Sequence, residues 1–131
     1  MEIPVTLITT GILGILFFVH SLRTIRGRVL TKTNLGDGGN EIMQRRIRIH
    51  GNFAEYVPLL LFILFLLEIK NTPVLVLTSF AVVVVLGRFL HFYGLYSKET
   101  PGMARVLGMQ CTLWPLVLGS SYLIYLGVSG F

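Results

Sequence analysis

The run Arg48-Ile-His-Gly-Asn52-Phe-Ala-Glu55-Tyr56-Val-Pro58 carries a guanidinium, an amide and a carboxylate straight into an apolar segment. An ionised side chain costs roughly 2.5–3.5 kcal/mol at the centre of a membrane helix on insertion scales, so such groups mark a site or a pathway. At about 100° per residue, Arg48, Asn52 and Glu55 fall within roughly 60° of one another on one helical face. The three groups therefore address one target.

A second set lies further along the chain, where Gly87, Arg88, His91, Tyr93 and Tyr96 follow an apolar run. Taken singly these residues suit an interfacial belt, with Arg88 snorkelling and the tyrosines at headgroup level. Together they favour a site, because Arg88 and His91 share a helical face at the depth of the Arg48–Glu55 stripe. The expectation is that Arg88 pairs with Glu55 or with a ligand carboxylate, since an unpaired charge there is expensive. Arg105, just before the last apolar segment, is a fixed cation placed to hold a substrate anion. Cys111 sits among apolar residues with no nearby base and reads as a small hydrophobe. His20, His50 and His91 lack metal-ligand spacing, so no metal is expected. His50 lies about 160° from Asn52 around the helix and is expected to face a neighbouring helix or subunit.

The elements that position these groups follow from composition. The 131 residues are 53% hydrophobic and only 13% charged, with a mean hydropathy of +0.76, more than a soluble domain of this length can hide. Four segments of spanning length stand out, roughly Ile3 to Leu22, Ile49 to Leu67, Pro73 to Phe92, and Met103 to Leu126. The expected fold is all-α, a single integral-membrane four-helix unit over residues 1–131. So narrow an interior directs a substrate site to the space between subunits or to one membrane face. The first segment has no basic n-region and no cleavage site, and reads as a spanning helix rather than a signal peptide.

Arg23, Arg26, Arg28, Lys32, Arg45, Arg46 and Arg48 lie between the first two segments, and Lys98 and Arg105 between the last two; Lys70 is alone on the other side. The positive-inside rule then places the basic connections in the cytoplasm and both termini outside. This asymmetry absorbs the net charge of +5, and nucleic acid is not an expected partner because no aqueous groove is present. Gly36-Asp37-Gly38-Gly39-Asn40 reads as a turn. A phosphate loop would need a following lysine and hydroxyl, and both are missing. Asn40 is placed to cap a second helix that starts in the aqueous layer, with Glu41 in its first turn.

The pattern Arg48-x-x-x-Asn52-x-x-Glu55-x-x-Pro58 at the start of a second membrane helix resembles the signature of the MAPEG family, the membrane-associated proteins of eicosanoid and glutathione metabolism. The Gly-Arg-x-x-His-x-Tyr-Gly run of residues 87–94, the basic first loop and the arginine before the last helix extend the likeness over essentially the whole chain. The Gly-Asp-Gly-Gly and Arg-Ile-His-Gly-Asn sequences are similar to the small bacterial branch.

The resemblance implies a homotrimer that binds glutathione between subunits near the cytoplasmic face, and an enzyme of transferase or peroxidase type acting on lipophilic electrophiles or hydroperoxides. Arg48, Asn52 and Glu55 would grip the tripeptide, and Arg105 would stand where the family stabilises the thiolate, although its alignment needs a one-residue gap. Tyr56, Arg88, His91, Tyr93 and Tyr96 complete the candidate set. His91 stands where several eukaryotic members have a tyrosine, and Arg23 or Arg26 would supply the first-helix arginine. The chemistry is coherent: arginines match the two glutathione carboxylates, Glu55 its ammonium, and a cation favours thiolate over thiol. Two alternatives stand beside it. One is a non-enzymatic membrane protein binding lipid or a thiol peptide. The other is a small proton-coupled transporter built on Glu55, disfavoured by the arginines that would repel a cationic cargo.

Overall fold

The computed structural model describes residues 2–96 and 102–130, without the side chain of Tyr96. It is all-helical, with four helices each long and apolar enough to cross a membrane. They are α1 (Pro4–Thr31), α2 (Glu41–Ile69), α3 (Val74–Tyr96) and α4 (Met103–Ser129). Lys98 lies outside the described residues.

Local chemistry sets the ends. Pro4 opens α1, where its missing N–H is no loss. Lys32 closes that helix in the left-handed region at φ 52°, and the Thr33 N–H reaches back to the Arg28 carbonyl at 3.0 Å. Gly36, Gly38 and Gly39 all have positive φ, so the glycine cluster is the expected turn. Asn40 caps α2, accepting from the Met43 N–H at 3.0 Å through Oδ1, and Glu41 occupies the first turn. Both α1 and α2 continue past their apolar segments at this end, to Thr31 and back to Glu41.

Cross-helix contacts fix an up-down-up-down order. The Glu68 carboxylate near the end of α2 accepts from the Val5 N–H at 2.9 Å and the Thr6 N–H at 2.7 Å, so α1 and α2 are antiparallel. Two free donors of the first α1 turn are thereby satisfied by a side chain from another helix. On the far side of the bundle, His20 of α1 meets Phe92 of α3 with ring centroids 5.0 Å apart, so these two helices run parallel. The α3–α4 seam is the tightest. A Cβ on Gly87 would meet Cys111 Cβ at 2.6 Å, and one on Gly108 or Gly94 would strike the backbone of His91 or Arg105. Glycine here lets two backbones approach to near contact.

Two clusters make the core. Leu13, Leu16, Phe53, Val57, Leu60 and Val84 form one, and Ile63, Leu64, Leu67, Leu77 and Ala81 the other, nearer Glu68. Large apolar side chains such as Ile15, Phe62, Leu75 and Leu118 point outward. In water this surface would be prohibitive; against acyl chains it costs nothing.

Candidate functional site

Along α2 the polar stripe divides by depth in the bundle. Arg48 and Glu55 are exposed on the outer wall of the subunit, and Asn52 is half-buried between them. Helical geometry explains the split, because α2 buries the face defined by Ile49, Phe53, Val57 and Leu60, and Asn52 stands nearer that face than its two companions. Its amide is engaged within the chain. Oδ1 accepts from Arg88 Nη1 at 2.9 Å, and Nδ2 lies 3.6 Å from Met109 Sδ.

For Arg88 the structure differs from the first of the two partners expected of it, Glu55. Arg88 does not pair with Glu55: it is only 2% exposed and donates to Asn52 and to Thr112 Oγ1 of α4. Thr112 in turn donates to the Gly108 carbonyl at 3.0 Å. The reason is rotational, since Arg88 faces the junction of α2, α3 and α4 while Glu55 faces away from it. A buried cation is thus held by two neutral acceptors, and its Nε has no partner among the described residues. Thr112 carried no signal in the sequence beyond its hydroxyl in an apolar helix.

The remaining candidates separate further. His91 is buried at the α3–α4 seam beside Gly108, so it packs one turn from Arg88 as expected but not on an open surface. Tyr56 is half-buried against the first core cluster. Tyr93 is 67% exposed, at the basic end of α3. The Tyr96 side chain lies outside the described part of the chain. Arg105 is exposed in the first turn of α4. The two first-helix arginines also differ: Arg23 lies over the Phe92 ring at 5.1 Å, whereas Arg26 is exposed. His50 faces α1, stacking on Phe17 with centroids 4.8 Å apart and lying 3.1 Å from Ser21 Oγ.

Within one subunit, then, Asn52, Arg88 and Thr112 form a closed network, while Arg48, Glu55, Arg26 and Arg105 all reach the outer surface. These exposed charges sit on a bundle of four helices long and apolar enough to cross a membrane. The chain belongs to the MAPEG family, whose model matches residues 6–125, a family of membrane four-helix bundles that includes glutathione-dependent transferases and peroxidases.

Among named relatives it is similar to the inner membrane protein YecN of Escherichia coli strain K12, 29% identical over 85 residues, 65% of each chain. The same figures hold for YecN of Escherichia coli strain CFT073. The chain thus matches about 65% of the length of these relatives. No solved structure matches it.

Proposed function

We propose that this protein is a membrane-bound glutathione-dependent transferase or peroxidase, integral to a bacterial inner membrane, with both termini outside the cytoplasm. It works as a homotrimer in which a neighbouring copy covers the outer face of α2. The observation that carries the reading is Glu55: a carboxylate exposed on the wall of a helix whose following residues are apolar enough to span a membrane. Acyl chains would make that charge costly; a polar ligand and a second subunit would not.

In this arrangement Arg48 pairs with a glutathione carboxylate and Glu55 with its ammonium. Asn52, held by Arg88, adds an amide whose orientation is set before the ligand arrives, which lowers the cost of binding. Arg105 favours the thiolate because a cation stabilises only the ionised form. The thiolate sulfur attacks the electrophilic carbon, forming a carbon–sulfur bond as the leaving group departs with its electron pair. With a lipid hydroperoxide the sulfur takes the terminal hydroxyl and the alkoxide leaves as alcohol after protonation. A second glutathione then displaces water to give the disulfide.

The test is glutathione binding to the purified oligomer, ultraviolet difference spectra for bound thiolate, and turnover of a nitroaryl halide and a lipid hydroperoxide. Saturable binding with a thiolate band is expected. A monomeric particle that binds glutathione as tightly as the oligomer, or an oligomer that binds none, overturns the reading.

A further inference from the structure

A sulfur stands at the amide end of the Asn52 network. Asn52 Nδ2 lies 3.6 Å from Met109 Sδ of α4, while Oδ1 accepts from Arg88 at 2.9 Å. A guanidinium only donates, so it holds the amide oxygen on its own side and turns the nitrogen toward Met109. The acceptor that nitrogen meets there is a thioether, which is a weak one.

Position sets this sulfur apart from the others described. Met109 stands four residues after Arg105 on α4, so the two share a helical face, and its contact with Asn52 places it against α2. It is half-buried and lies between two of the groups assigned above to glutathione. Met43, by contrast, is only 1% exposed, and Met103 is open at the first turn of α4. Cys111 has its Cβ against Gly87 across the α3–α4 seam.

We propose that Met109 is an oxidation site: a hydroperoxide converts its thioether to the sulfoxide, and the new oxygen captures the Asn52 amide N–H. The sulfur attacks the terminal oxygen of the hydroperoxide, the O–O bond breaks, and the departing alkoxide takes the proton from the sulfur-bound hydroxyl. Thioether and hydroperoxide become sulfoxide and alcohol, the sulfur losing the two electrons that the peroxide gains. An oxygen one bond out from a sulfur 3.6 Å away comes within ordinary hydrogen-bond reach of Nδ2. A thioether yields that N–H to a ligand carboxylate; a sulfoxide holds it. Excess peroxide then closes the site that consumes it until the sulfoxide is reduced. This last consequence rests on the glutathione reading, whereas the oxidation and the captured amide do not.

The test treats full-length protein in neutral detergent with cumene hydroperoxide. Peptide mass spectrometry locates the added oxygen, and NMR of protein with isotopically labelled asparagine follows the Asn52 side-chain amide. Oxygen is expected on Met109 well before Met43, with a shift of the Asn52 signal that methionine sulfoxide reductase reverses. Glutathione binding should weaken about tenfold, the worth of one hydrogen bond to a charged group. Met109→Leu, close in volume, should show no change of the amide signal or of glutathione affinity on peroxide treatment. Met109→Gln, which carries a carbonyl oxygen at that place, should bind glutathione about tenfold more weakly with no peroxide added. Met103→Leu should respond as the wild type does. Uptake of oxygen by Met43 or Cys111 while Met109 stays unchanged overturns the proposal, as does an Asn52 signal that does not move once Met109 is oxidised. So do equal glutathione affinities of the oxidised and reduced forms. A moved signal in protein that binds no glutathione in either form supports the oxidation site and overturns the proposed function instead.

Discussion

Arg88 donates to the amide oxygen of Asn52 at 2.9 Å, so the asparagine of the α2 stripe is tied to α3 from inside the subunit. The bond joins a motif residue to a buried cation that has no carboxylate partner among the described residues, and the two side chains are expected to act as one unit. Removing Asn52 leaves Arg88 with Thr112 as its one side-chain acceptor among the described residues.

For Asn52→Leu the expected loss of stability is about 2–4 kcal/mol, because hydrogen bonds to charged groups are worth about 1.5–3 kcal/mol and the guanidinium is left partly unsatisfied. The double variant Asn52→Leu/Arg88→Met, which removes both partners, should recover part of that loss. Thermal unfolding in a neutral detergent reads the difference. Additive losses in the double variant would mean that the two side chains are energetically independent.

At the other end of the bundle, Glu68→Ala should cost about 2 kcal/mol, since it strips two acceptors from the start of α1. Glu68→Gln should retain part of that stability. Hydrogen exchange at Val5 and Thr6 should accelerate in Glu68→Ala while the α3–α4 amides stay protected. Unchanged exchange at Val5 and Thr6 would remove the cap from the account.

The α3–α4 seam makes a third prediction. Gly108→Ala and Gly94→Ala place a methyl against opposing backbone and should destabilise by about 1–3 kcal/mol each, in the range of overpacked cores. Gly127→Ala, whose added Cβ meets nothing within 4 Å, should be neutral or stabilising by up to about 1 kcal/mol. Melting temperatures of the three variants check the contrast.

For the proposed activity, Glu55→Gln should weaken glutathione binding about ten- to a hundredfold by removing the ammonium partner, at 1.4 kcal/mol per tenfold. Arg105→Ala should keep part of the binding and lose the thiolate absorbance. Titration calorimetry and ultraviolet difference spectra separate the two effects. If both variants bind and react as wild type, the assignment of these residues is wrong.

What the chain discloses about itself depends on the range of the interaction. Apolar length alone marked the four helices, and Asn40 announced its cap because capping is written within four residues. The Arg48–Glu55 stripe was legible through helical periodicity. Arg88 was recognised as a charge that needs company, but not its partners: whether it meets Glu55, Asn52 or Thr112 depends on how α2 and α4 rotate about their axes. Glu68 was overlooked for a related reason, since its acceptors serve the start of α1, more than sixty residues away in sequence. A groove at the basic end, lined by Arg23, Arg45 and Arg46, is likewise assembled from three helices; Arg45 and Arg46 had been read as markers of orientation, and Arg23 also as a candidate first-helix arginine.

At the basic end, α1 continues from Leu22 to Thr31 and α2 begins at Glu41, ahead of Ile49. At 1.5 Å per residue these extensions stand about 12 Å above the apolar belt. In the proposed reaction, a reactant that dissolves only in water and one that dissolves only in fat therefore meet on this molecule without either changing solvent. The supply of the oily partner is then governed by its partition coefficient into the bilayer rather than by its bulk concentration.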